Sequence, residues 1–121
     1  MTVRVMKVAV TTAGTAGTAT GNTDSDVING EILGIFLRYT TQPATTDVTI
    51  KATSPADYNI LVVTNANTDG RFAPRAKPVD NANVAITNAH APFPVAGKVN
   101  VAVAQGDAVT NALVAHIYWR P

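Results

Sequence analysis

Cysteine is absent from the 121-residue chain, and only 14% of its residues are charged. The missing cysteine excludes disulfides, thiolate chemistry and sulfur ligands for metals. A charged fraction well below the roughly one quarter of an ordinary globular sequence predicts a neutral surface built from Thr, Asn and Ala. The formal net charge is +1, so no overall field attracts nucleic acid or an anionic membrane, and we expect neither as a partner.

Side chains that perform catalysis are also scarce. The chain has two serines (Ser25 and Ser54), two histidines (His90 and His116) and one glutamate, Glu31. Each serine lies among Asp or Pro residues, a context typical of a turn rather than of a nucleophile in a triad. Two histidines far apart in sequence provide at most half of a zinc site. We therefore predict no catalytic residue, no metal site and no cofactor, and we expect that the protein is not an enzyme.

Long apolar runs are missing as well. The N-terminus does not show a basic cap followed by an apolar block, which a secretory signal would need. No stretch approaches the ~20 apolar residues that a membrane-spanning helix requires. We expect a soluble protein that is made in the cytoplasm and has no membrane partner.

The strongest pattern in the chain covers residues 29–53. Large apolar side chains occupy alternate positions of its first half: Leu33, Ile35, Leu37 and Tyr39. In its second half Val48 and Ile50 alternate with polar residues. Side chains two apart share one face of a strand, so the pattern predicts two strands with buried faces. The break around Pro43 predicts that these two strands form a hairpin.

Similar patterns predict further strands at residues 2–10, 58–64, 98–104 and 113–120, and a short strand at residues 81–87. A change of apolar face in the first strand predicts a bulge near Met6, and the strand at 58–64 is apolar on both faces, which is typical of an internal strand. Seven or eight short strands predict one domain, residues 1–121, folded as an all-β antiparallel sandwich. A jelly-roll-like topology is favoured, with an immunoglobulin-like sandwich as the alternative. Within residues 1–22 we expect an N-terminal strand followed by a flexible Thr/Ala/Gly-rich arm, with a weak strand at residues 15–20 as the alternative.

The best binding candidate is a short segment with three cations and two prolines in eight residues. Pro74 and Pro78 predict an edge strand or an extended loop. The functional interpretation is a contact strip on an acidic protein surface, and the alternative is a loop whose cations are simply solvated. One aromatic side chain is too few for a nucleic-acid stacking platform. The predicted contact residues are Arg71, Phe72, Pro74, Arg75 and Lys77.

The segments at residues 30–35, 42–50, 67–75 and 101–107 together resemble a family of small tailed-phage virion proteins, the head decoration or capsid cement proteins. The resemblance covers roughly residues 28–120. It implies a β-sandwich, often a jelly roll, that binds the major capsid protein at capsomer junctions on the outer capsid surface. It also implies a homo-oligomer, with a trimer favoured, and it supplies no catalytic residue. On this interpretation residues 1–20 and 71–77 are the expected contact surfaces.

An alternative function is a head-fibre or tail-associated adhesion module that binds glycans on the host surface. Such modules use exposed aromatic side chains and polar loops. Aromatic residues make up 6% of this chain, and their positions within strand patterns predict that they belong to the core. These residues are Tyr39, Tyr58, Tyr118 and Trp119.

Overall fold

The structure is a computed structural model that describes residues 2–53 and 57–121. Nine strands and no helix occur in those two ranges. Consequently no helix that is long and apolar enough to cross a membrane is found there. The strands are β1 (Arg4–Val10), β2 (Ala19–Asp24), β3 (Ile28–Tyr39), β4 (Asp47–Ala52), β5 (Tyr58–Val63), β6 (Gly70–Phe72), β7 (Phe93–Gly97), β8 (Val99–Gly106) and β9 (Leu113–Arg120).

The strands form two antiparallel sheets packed as a sandwich. Sheet 1 has the order β1-β9-β3-β6, with β7 also paired to β3, and sheet 2 has the order β2-β8-β4-β5. Strands therefore pair from the two ends of the chain inward: β1 with β9, β2 with β8, β3 with β6 and β7, and β4 with β5. This nested pairing is the jelly-roll topology, so the prediction of a jelly-roll-like sandwich is confirmed. The immunoglobulin-like alternative does not apply, because its first two strands share one sheet.

The core lies between the inward faces of the two sheets. On sheet 2 alternate residues of β4 and β8 are buried, including Val48, Ile50 and Val101. On sheet 1 the buried set includes Leu37 of β3 and Ile117 of β9, neither of which is measurably exposed. This is the alternation that the sequence predicts for strands with one dry face.

The predicted hairpin at residues 29–53 is wrong in its pairing, although both strands exist. β3 belongs to sheet 1 and β4 to sheet 2, so the two strands face each other across the core. The connection between them is fixed by buried polar groups: the Thr46 hydroxyl donates to the Pro43 carbonyl at 2.7 Å. The side chain of Gln42 bonds the backbone of Asp107 in the β8–β9 turn. Those hydrogen bonds hold the connection that crosses from sheet 1 to sheet 2.

The N-terminal segment also differs from the prediction. Residues 11–22 are not a flexible arm, because β2 begins at Ala19 and the preceding loop is hydrogen-bonded to the β8–β9 turn. Thr12 is buried, and its hydroxyl donates to the Asp107 carbonyl and accepts from the Val109 amide. The Gly17 amide donates to the Asp107 carboxylate at 2.9 Å. The loop is thus part of one end of the sandwich.

Two smaller predictions are wrong for related reasons. β1 pairs with β9 in continuous register, so no bulge occurs at Met6; the structure instead has a bulge between Ile32 and Gly34 in β3. β5 lies at the edge of sheet 2 rather than inside it, and its Val62 is 55% exposed. The predicted short strand at residues 81–87 is also wrong, because that segment forms turns and one isolated bridge between Val79 and Ala85. Ser54, predicted to lie in a turn, falls outside the described residues.

Candidate functional site

The outer face of sheet 1 collects aromatic and cationic side chains. Residues that alternate with the buried core positions must point outward, and the pairing places them in rows across the sheet. One row pairs Val5 with Tyr118 and Tyr118 with Gly34. The next row joins four strands, in the order Lys7, His116, Phe36 and Arg71. Arg38 lies in the third row, opposite Val114. We call this surface the cationic-aromatic face, defined by Lys7, Phe36, Arg38, Arg71, His116 and Tyr118.

Neighbouring side chains on this face support one another. The Arg71 guanidinium lies 5.6 Å from the centroid of the Phe36 ring, within range of a cation–π interaction. The Phe36 and His116 rings are tilted against each other with centroids 6.2 Å apart. Tyr118 is 41% exposed, so its predicted position in the core is wrong. Aromatic side chains held at a surface by such contacts lose little conformational freedom when a partner covers them.

Three adjoining depressions, with volumes of about 340, 230 and 140 Å³, run across the face. Among the described residues that line them are three cations, Lys7, Arg38 and Arg71, and no carboxylate. Asp69 accepts a hydrogen bond from the amide of Tyr39, one of the lining residues, at 2.8 Å. A third of the chain's nine Lys and Arg residues thus lie on one face of an almost neutral protein. The result is a local positive field that the net charge conceals.

The structure divides the predicted contact strip instead of presenting it as one surface. Arg71 lies on the cationic-aromatic face, whereas Phe72 packs partly against the core and Pro74 is buried. Arg75 Nη1 donates to the Leu33 carbonyl at 3.0 Å, where the bulge in β3 interrupts the sheet. Lys77 is exposed in the loop between β6 and β7 and lines a separate depression of about 270 Å³. Arg71 therefore belongs to the site, Phe72 and Pro74 anchor the segment, and Arg75 satisfies a backbone carbonyl.

Sequence reasoning missed most of the face. Its residues come from four strands that are distant in sequence, and each contributes only one or two side chains. The available signal was the mixed face of β3, where Gly34, Phe36 and Arg38 alternate with buried positions. Phe36 is aromatic and Arg38 is an arginine, and both residue types are enriched at protein interfaces. Their neighbours from β1, β6 and β9 follow only from the strand order.

Sheet 2 has a polar depression of about 560 Å³ on its outer face, which we call the polar trough. The ladder aligns Asp24 of β2, Asn100 of β8, Lys51 of β4 and Asn59 of β5. The Asn100 amide donates to Asn22 and Asp24, and Lys51 forms an ion pair with Asp57 at 3.1 Å. The polar trough is lined by Asn22, Thr49, Lys51, Thr53, Asp57, Asn59, Asn100 and Ala102.

The residues weighed for catalysis are dispersed or occupied by structural contacts. Ser25 is buried, donates to the Asp26 carbonyl and accepts from the Val99 amide. Glu31 forms an ion pair with Arg120 at 3.1 Å. Within residues 2–53 and 57–121 no three His, Asp or Glu side chains come close enough together to hold a metal ion.

Two tyrosines inside the sandwich have a raised pKa. Burial raises the pKa of Tyr39 above its ordinary value, and the negative charge of Asp69 adds to the effect. Burial also raises the pKa of Tyr58, whose hydroxyl donates to the Pro94 carbonyl. The neutral phenol is therefore favoured at both positions.

No protein-family model and no curated protein matches the chain. Among solved structures, the chain is similar to a mutant of a family 29 carbohydrate binding module, with 8% sequence identity and a TM-score of 0.35. The match covers 97% of this chain and 78% of the other. A likeness of that size carries no argument about function. What the chain itself shows is an all-β sandwich with a cationic-aromatic face on one sheet and a polar trough on the other.

Proposed function

We propose that the protein is a non-catalytic structural component of a tailed-phage virion, which binds the outer capsid surface at capsomer junctions and stabilises the shell. The observation that carries the proposal is the cationic-aromatic face, a contiguous binding surface on a protein that is otherwise almost neutral. The partner, the major capsid protein, is inferred from the sequence resemblance to head decoration proteins.

The proposed mechanism is docking of the cationic-aromatic face onto an acidic patch of the shell. Burial of the Phe36 and Tyr118 rings would supply apolar contact, at about 25 cal/mol for each Å² of apolar surface removed from water. Arg38 and Arg71 would pair with carboxylates and fix the orientation of docking. The binding free energy from the face of one copy is modest. Copies linked in a trimer or another small homo-oligomer would bind far more tightly, because later contacts form within an already bound assembly.

Undecorated heads mixed with the purified protein provide the test, with occupancy counted by electron microscopy over a range of protein and salt concentrations. We expect saturable occupancy at micromolar protein that weakens with added salt. Arg71→Glu should weaken binding at least about tenfold, since it reverses a charge that lines two of the three depressions. Lys98→Glu makes the same charge change at an exposed position off the face and should bind normally. An absence of occupancy at micromolar protein refutes the proposal.

A second candidate function is glycan binding by an adhesion module of the virion, and the polar trough favours it. Side chains fixed by mutual hydrogen bonds, such as Asn22 with Asn100, can exchange donors and acceptors with sugar hydroxyls. This function ranks second because no aromatic ring is among the described residues that line the trough, so nothing there can stack on a sugar. A glycan array that gives a signal lost in Asn100→Ala and retained in Arg71→Glu would favour this candidate.

A further inference from the structure

Gly34, which has no side chain, lines the largest of the three depressions on the cationic-aromatic face. This depression has a volume of about 340 Å³, and its lining also includes Phe36, Arg71, Phe72 and Tyr118. Gly34 is paired with Tyr118, in a row where the other outward positions carry large side chains. We call this depression the Gly34 socket.

The fold itself does not require glycine at this position. The φ of Gly34 is outside the left-handed region that favours glycine, and an added Cβ would meet only the Phe72 carbonyl oxygen, at 3.4 Å. Gly30 differs, because a Cβ there would lie 1.9 Å from the Arg120 oxygen. At Gly21 a Cβ would lie 2.3 Å from the Thr11 oxygen. Gly30 and Gly21 thus allow backbones to approach closely, whereas the effect of glycine at position 34 is to keep the socket open.

The socket combines an apolar interior with a positively charged rim. Phe36 and Tyr118, whose side chains point outward, line it, the Phe72 carbonyl oxygen faces Gly34, and the Arg71 guanidinium lies over the Phe36 ring. Arg38 lines the adjoining depression. An apolar pocket that is enclosed by groups able to exclude water is the usual setting of an interface hot spot. The socket's volume of about 340 Å³ is at the lower end of the range for ligand pockets.

We propose that the Gly34 socket receives a single large apolar side chain from an acidic segment of the protein partner, with the flanking carboxylates paired to Arg71 and Arg38. The choice of a protein segment follows from the lining, since an apolar depression flanked by cations suits an apolar side chain between carboxylates. The choice of acidic flanks follows from charge complementarity, because the described lining residues include cations and no carboxylate. The location of that segment on the capsid rests on the function proposed above, but the chemistry of the socket does not.

The first experiment fills the socket. Gly34→Val introduces a side chain that strands favour into the space that the partner would occupy, and it should reduce occupancy of undecorated heads at least about tenfold. The matched control is Ala104→Val, which also enlarges an outward position of a central strand but lies on sheet 2, away from the face. Thermal unfolding of both variants establishes that they fold. Wild-type occupancy by a folded Gly34→Val variant overturns the inference.

The second experiment needs no capsid. Amide NMR signals of the protein are followed during titration with a blocked peptide that has a central Leu between pairs of Glu. Two analogues replace the Leu with Ala or every Glu with Gln. We expect the Leu peptide to shift the signals of Gly34 and Tyr118, and we expect both analogues to bind at least about fivefold more weakly. Equal binding of the Leu and Ala peptides overturns the inference.

Competing occupants are tested in the same titration with polygalacturonate and with a single-stranded oligonucleotide. If either one shifts the Gly34 signal at a lower concentration than the Leu peptide does, the protein-segment inference is overturned. The capsid function and the inference about the Gly34 socket can fail separately. Heads that bind no wild-type protein refute the capsid function, while the peptide titration still decides whether the socket recognises an apolar side chain with acidic flanks.

Discussion

The side chain of Gln42 cross-links the two connections at one end of the sandwich, and its removal should be among the most costly single polar changes. Gln42 is 8% exposed. Its amide nitrogen donates to the carbonyls of Thr40 and Asp107 at 3.2 and 3.3 Å, and its amide oxygen accepts from the Asp107 amide at 3.0 Å. The contacts tie the crossover between the sheets to the β8–β9 turn. Gln42→Ala deletes all three and takes the acceptor from the part-buried Asp107 amide, while the Asp107 carbonyl keeps its bond from Thr12.

The size of the effect follows from those contacts. Each hydrogen bond contributes about 0.5–1.5 kcal/mol net, and an orphaned buried backbone group costs about 1–3 kcal/mol. Two of the three bonds are long, so we expect the free energy of unfolding to fall by about 3 kcal/mol in total. For a chain of this size that corresponds to a decrease in Tm of roughly 10 °C.

Urea unfolding and thermal unfolding measure this change directly. Thr45→Ala is the control, because the Thr45 hydroxyl makes one exposed bond to the Gln105 carbonyl at 3.2 Å in the same region. Its loss should cost less than about 0.5 kcal/mol. Gln42→Glu tests the amide nitrogen donor alone, because a carboxylate oxygen would replace that nitrogen and face the Thr40 and Asp107 carbonyls. The Gln42→Glu protein should be more stable below pH about 4, where Glu is protonated, than it is at neutral pH. If Gln42→Ala unfolds at the same urea concentration as Thr45→Ala, the proposed cross-link does not contribute.

Three further predictions concern stability. Gly30→Ala should destabilise by several kcal/mol or prevent folding, because its Cβ would overlap the Arg120 oxygen, whereas Gly34→Ala should stay within about 0.5 kcal/mol of wild type in urea unfolding. Tyr39→Phe should raise stability by about 1 kcal/mol near pH 7, because the buried Tyr39 hydroxyl has no partner. The pKa of Tyr39 is raised in the folded state, so the stability that the neutral phenol contributes is present below pH about 10 and is lost as the pH rises further. Between pH about 9 and 11 the free energy of unfolding of Tyr39→Phe should therefore fall less than that of the wild type. Arg75→Ala, which leaves the Leu33 carbonyl to solvent, should cost about 1 kcal/mol or less, and a larger loss in thermal unfolding would contradict the assigned role.

Much of the fold was predictable from local patterns. The alternation in β3, β4, β8 and β9 identifies the strands and their buried faces, because side chains two apart must share a face. The partners of those strands were not predictable in the same way. The break around Pro43 indicated a hairpin between β3 and β4, but a strand with one apolar face can bury that face equally well against a facing sheet. The buried Gln42 and Thr46, which no pattern marks as special, hold the crossover.

The candidate site was less predictable than the fold. Arg71 was identified from the cations near Pro74, and it does lie on the cationic-aromatic face. Arg75, identified by the same reasoning, instead donates to the backbone of the bulge. Phe36, His116 and Tyr118 were missed because each one is isolated in sequence. They form a surface only when β9 and β3 become neighbours.

By itself the sequence determined the chemistry that is available: no thiol, few groups for catalysis, and apolar residues spaced for strands. These properties are local, since they depend on residue types and on spacing along one strand. Only the tertiary structure decided the strand order, and with it the placement of Lys7, Phe36 and Arg71 in one row. It also decided that the missing side chain at Gly34 leaves a socket rather than a close backbone contact. The physical reason is that a surface made from four strands depends on pairing between distant segments, and alternation within one strand cannot encode that pairing.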